Sequence, residues 1–61
     1  MKVKEITKMI ENDGWFKVRQ KGSHQQFNHP IKKGTVTVAG KPGDDLAKGT
    51  IKSILTQAGL K

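Results

Sequence analysis

The 61-residue sequence contains no cysteine. That excludes a disulfide framework and a thiolate-based zinc site. Two histidines and five acidic residues are a poor supply for a structural metal cage, so packing alone must hold the fold. No stretch approaches the ~18 apolar residues of a membrane span. The N-terminus lacks the apolar core of a signal peptide, so the expected compartment is the cytoplasm. Neither predicted helix joins a Lys-rich face to bulky aromatic anchors, which argues against a membrane surface. No repeat, linker or low-complexity segment interrupts the chain. It reads as a single small domain over residues 1–61. A domain of this size buries only about 60% of the surface its unfolded chain exposes. With 33% hydrophobic residues, marginal stability, or stabilisation by a partner, is expected.

What the chain does have is positive charge, a formal net charge of +7. The distribution says more than the total. Between Gly14 and Gly43 stand Lys17, Arg19, Lys21, Lys32, Lys33 and Lys41, with no acid among them. Glu5, Glu11, Asp13, Asp44 and Asp45 all lie outside that segment. A concentrated basic region points to a polyanion, nucleic acid before any other.

Val3, Ile6, Met9 and Ile10 follow helical spacing and predict a first helix over 3–12. No Ser, Thr, Asp or Asn precedes it, which weakens its start, and Gly14 suits a left-handed stop. Two strands follow, over 15–21 and 24–29, and then a basic loop over 30–34. The β-branched alternation of 35–39 predicts a third strand. Gly40 to Asp45 is a loop by composition. Ile51, Ile54, Leu55 and Ala58 mark a last helix from Lys48 to Gly59, with Leu60 placed for a Schellman ending.

The order α-β-β-β-α predicts an α+β fold: a three-stranded antiparallel sheet with both helices on its apolar face and the opposite face open. This is the layout of a double-stranded-RNA-binding domain, which does not by itself settle function. Gly22-Ser23 suits a two-residue II′ hairpin loop. That register sets Lys21 opposite His24, Arg19 opposite Gln26 and Lys17 opposite Asn28. Phe16, Val18, Phe27, Val36 and Val38 are expected inside. The open face would then carry Lys17, Arg19, Lys21, two amides and the His24 imidazole. A titratable ring among cations is what phosphodiester chemistry requires. The feasible reaction is RNA transesterification. His24 would take the proton of the ribose 2′-OH or give one to the leaving 5′ oxygen, while Lys17, Arg19 and Lys21 hold phosphate.

Competing features carry less chemistry. His29, five residues on, falls on the opposite face of its strand and is expected to pack at the strand end. Trp15 is expected to close the core rather than stack on a base. Asp44 and Asp45 lack a third carboxylate for a Mg²⁺ site and read as solvated loop charge or as a favourable approach to the last helix. Lys48-Gly49-Thr50 has the wrong order for a nucleotide-binding loop. Ser23 lacks triad partners and forms the turn.

Asp13-Gly14-Trp15, Gly22-Ser23-His24 with Phe27, Val36-Thr37-Val38, Lys48-Gly49-Thr50 before Ile54-Leu55, and Gln57-Ala58-Gly59 together resemble the HicA toxin family. The resemblance spans nearly the whole chain. It implies a metal-free endoribonuclease of mRNA with no cofactor, a catalytic histidine at His24, and inhibition by a HicB-type antitoxin. Ala39 and Ala47 stand where family members often carry proline, away from the site. The expected RNA contacts are Lys17, Arg19, Lys21, Ser23, Gln26, Lys32, Lys33, Lys41 and Lys48. The antitoxin is expected to cover the basic face and His24. The alternative readings are a non-catalytic RNA-binding module on the same fold, and a DNA-binding or structural basic domain.

Overall fold

A computed structural model describes residues 1–60. The elements run α1 (Val3–Asn12), β1 (Phe16–Lys21), β2 (His24–Asn28), β3 (Val36–Ala39) and α2 (Lys48–Gln57). The sheet is antiparallel in the order β1-β2-β3. Val3, Ile6 and Ile10 of α1 meet Phe27, Val36 and Val38 of the sheet and Ile54 and Ala58 at the end of α2, with Trp15 in the same core. The α-β-β-β-α layout, with both helices on one sheet face, is the one expected from periodicity. Met9, on the helical spacing, is exposed rather than in the core.

Local chemistry explains the ends of the elements. The start of α1 has no side-chain cap of the usual kind, yet its orphan donors are satisfied. Val3 N–H donates to the Asp44 carbonyl (2.9 Å) and Lys4 N–H to the Pro42 carbonyl (3.1 Å). Lys2 N–H donates to the Glu5 carboxylate (2.9 Å). The loop before α2 therefore caps α1 through its backbone, a partner that no local sequence rule reveals. Both helices finish in Schellman motifs. Trp15 N–H reaches back to Ile10 O around Gly14, and Leu60 N–H to Leu55 O around Gly59. Those glycines have φ of +108° and +70°.

The principal departure lies in β1. The ladder pairs Lys21 with His24, Gln20 with Gln25 and Arg19 with Gln26, then shifts, so that Lys17 faces Phe27 and Phe16 faces Asn28. A β-bulge at Lys17-Val18 inserts one residue, and every side chain before it changes face. The expected pairing of Lys17 with Asn28 is thus corrected. Lys17 lies on the side of Gln20, to whose Oε1 its ammonium donates (2.8 Å). Phe16 and Val18, expected inside, are each 48% exposed, and Trp15 takes the core position at 2%. Phe16 is turned out by the bulge. Val18 stays on the inner side, but all six residues of β1 are exposed, because the helices pack over β3 and leave this edge strand uncovered.

Candidate nucleic-acid interface

The hairpin turn sets the site. Gly22 takes φ +59° and, among the described residues, no non-glycine residue has positive φ, the pattern of a II′ turn with glycine first. Gly40 N–H donates to Ser23 O (3.1 Å), so the end of β3 braces the turn from the other side. His24 opens β2 directly between Lys21 of β1 and Ala39 of β3. Directly opposed residues share a face, with Cβ atoms about 4.5–5.5 Å apart. The small Ala39 side chain leaves one flank of the imidazole open, so the expectation that position 39 lies away from the site is corrected. Arg19, Lys21, His24 and Gln26 line a single open depression of about 430 Å³ on the helix-free face. Ser23 sits in the turn at its rim. Four of the residues singled out from the sequence are thus brought together.

The others disperse. Lys17 is on the far side of the bulge. Lys32, expected to touch RNA, is turned inward: its ammonium pairs with the Asp13 carboxylate and donates to Ala58 O (3.0 Å). It ties the end of α1 to the end of α2. This hydrogen bond holds the Asp13 carboxyl below the usual carboxylate range, against the opposing effect of partial burial. Lys33 is exposed in the β2–β3 loop and Lys41 in the β3–α2 loop. Lys48 begins α2 and lines a separate depression of about 290 Å³ with Ile51, Lys52 and Leu55.

His29 packs as expected, through partners the sequence did not name. Its Nδ1 accepts from the N–H groups of Ile31 and Lys32 (3.0 Å each), so the ring proton sits on Nε2, which donates to Asp13 O (2.7 Å). Its ring meets Trp15 edge-on with centroids 5.2 Å apart, and the Trp15 indole N–H donates to Ala58 O (3.2 Å). The Asp13–His29–Lys32 cluster is therefore a structural clasp. Asp13 is the last acid before the basic segment, with His29 ahead of Lys32 further along it, but nothing local pairs residues 13 and 32. Asp44 and Asp45 also have structural tasks. Asp44 accepts from Lys41 N–H (2.9 Å), and Asp45 pairs with Lys2 (3.4 Å). Both stay in the loop ahead of α2, whose first turn has no acid of its own, and the Asp45 carboxylate is largely solvated. Among the described residues, no three His, Cys, Asp or Glu side chains converge as a metal site requires, and no helix is long and apolar enough to cross a membrane.

Fold and site define a small α+β domain that displays an imidazole and two cations on the helix-free face of a three-stranded sheet. A family model described as the HicA toxin of bacterial toxin–antitoxin systems matches residues 3–60. The chain also resembles one in a solved structure titled "Toxin-Antitoxin complex from Streptococcus pneumoniae", with 34% identity, 98% coverage of each chain and a TM-score of 0.80. A search among curated proteins gives no match. The chain belongs to the HicA toxin family.

Proposed function

We propose that this toxin is a slow, metal-independent endoribonuclease that cleaves mRNA with His24 as its general acid/base. The observation that carries the reading is the depression in which the exposed His24 ring lies with Arg19, Lys21 and Gln26 on one face. In the reaction, the ribose 2′ oxygen attacks the adjacent phosphorus and the bond to the 5′ oxygen breaks. The 2′-OH proton goes to a base, and the leaving oxygen receives one from an acid. His24 is the group placed to serve at either end of that transfer, and Lys21, directly opposite, is the nearest candidate for the second proton or for charge on the phosphate. Arg19 offers a planar fork for phosphate oxygens and Gln26 an amide for sugar or base. A positioned general base supplies about 10²–10⁴-fold, so a single imidazole with few helpers fits a modest rate.

The same face suits a HicB-type antitoxin. A toxin–antitoxin complex is what the 34%-identical structure is titled. An acidic partner surface laid over Arg19 and Lys21 would cover His24 and exclude RNA. Of the nine cations and polar residues first assigned to RNA, Arg19, Lys21, Ser23 and Gln26 remain beside His24, and Lys33, Lys41 and Lys48 remain exposed around the domain. Lys17 and Lys32 are withdrawn.

The test is incubation of the purified protein with labelled mRNA in EDTA, alongside His24→Ala confirmed as folded by circular dichroism. Cleavage by the parent and none by the variant is expected. Full cleavage by folded His24→Ala would overturn the mechanism, and cleavage lost in EDTA would overturn its independence of metal. Binding without cleavage by either protein would leave a non-catalytic RNA-binding module.

A further inference from the structure

The bulge in β1 leaves an aromatic ring where alternation alone would not put one. Phe16 pairs with Asn28, an even number of residues from His24 along β2, and so stands on the face of Arg19, Lys21, His24 and Gln26. It is half exposed, although this small core has few large side chains to spare. Trp15, next to it, fills the core instead. The other exposed large apolar side chains among the described residues lie elsewhere: Val18 on the inner side of β1, Ile31 in the β2–β3 loop, Met9 on α1, and Met1 and Leu60 outside the helices and strands.

We propose that Phe16 is a stacking platform for an unpaired RNA base, so that the substrate is single-stranded where it crosses β1. The inference rests on the ribonuclease reading of the same face. Asn28 lies four steps along β2 from His24, about 13 Å at roughly 3.3 Å per residue. Imidazole and ring therefore mark the two ends of one track, with Arg19 and Gln26 between them. A cationic groove that follows the backbone, combined with an aromatic face that takes a base, is how single strands are held without regard to sequence, since every base has a π-face. A duplex cannot use the ring, because its bases are already stacked on one another. Beside the ring, the Asn28 side-chain Oδ1 accepts from the Thr35 hydroxyl (3.1 Å). Its amide N–H groups are left to meet a base edge.

The experiment uses His24→Ala as a non-cleaving background. Anisotropy measures its affinity for a labelled single-stranded RNA, for the same strand with one abasic ribose walked along it, and for an RNA duplex. Phe16→Ala is expected to weaken binding to the single strand by about 5- to 150-fold. Phe16→Leu should weaken it similarly, and Phe16→Tyr should retain it. At one abasic position the difference between parent and Phe16→Ala should vanish. If Phe16→Ala does not fold, the Leu and Tyr variants carry the comparison. Parent-like affinity in Phe16→Leu would overturn the stacking role, as would a duplex bound as tightly as the single strand. No RNA binding by either the parent or the His24→Ala background would overturn the ribonuclease reading and this inference with it. RNA binding indifferent to all three Phe16 substitutions would overturn this inference alone. Unchanged RNA binding with lost capture of a HicB-type antitoxin would overturn the stacking role and reassign Phe16 to the protein partner.

Discussion

Trp15 is the largest buried side chain among the described residues, and its replacement can be worked through in advance. Its backbone N–H closes the Schellman motif of α1, its indole N–H reaches Ala58 O at the end of α2, and its ring meets His29. Trp15→Ala removes a side chain that is 2% exposed. Such a truncation costs about 3–5 kcal/mol. A domain of 61 residues has only about 3–9 kcal/mol of stability in total, at roughly 0.05–0.15 kcal/mol per residue. Trp15→Ala should therefore be largely unfolded or close to it. Trp15→Phe keeps most of the volume and the aromatic edge, and loses one hydrogen bond. Ala58 O still accepts from Lys32, so no carbonyl is orphaned. The expected loss is about 1–2 kcal/mol, from the missing hydrogen bond and part of a ring. In a domain this small, that lowers Tm by about 5–15 °C. Urea and thermal melts followed by far-ultraviolet circular dichroism measure both variants, since the only tryptophan is the residue replaced. A Trp15→Ala protein that melts within 1 kcal/mol of the parent, on the order of a 4–8 °C shift, would refute the view that this side chain joins the two helix ends.

Two further outcomes follow from the bulge and from the clasp. Arg19→Ala should weaken RNA binding and flatten its salt dependence by about one phosphate contact, whereas Lys17→Ala, on the other side of β1, should change the slope far less. Equal effects in a salt titration would mean that the bulge does not set which cation faces RNA. Acid should also loosen the fold through Asp13, whose ionised form the native state favours. That contribution is complete above the ordinary aspartate pKa of about 3.9 and is lost as pH falls through the lower folded value. Melts across this range should show a smaller acid loss in Asp13→Asn, itself less stable at neutral pH. An identical acid profile would remove Asp13 from the linkage.

Much of the architecture was readable because its causes are local. The apolar spacing of Ile51, Ile54, Leu55 and Ala58, the glycines at 14 and 59, and the alternation of Val36 and Val38 each act within a few residues, and the elements they mark form where expected. The pairing of Lys21 with His24 and of Arg19 with Gln26 was equally legible, because a two-residue glycine-led turn sets the register nearest to it. Further from the turn the same reasoning failed. One inserted residue at Lys17-Val18 reverses the face of everything before it, and alternation cannot signal an insertion in a strand that no helix covers.

The sequence by itself thus determined the elements, the turn, and the imidazole set beside Lys21, since hydrophobic periodicity and backbone freedom operate over short range. Only the tertiary structure decided that Trp15 points in and Phe16 out, and that Lys32 is bound to Asp13 rather than offered to a phosphate. It also decided that the carbonyls of Pro42 and Asp44 cap α1. Those outcomes depend on groups 19 to 43 residues apart competing for the same few partners in a small core, and that competition is resolved only when the chain closes on itself.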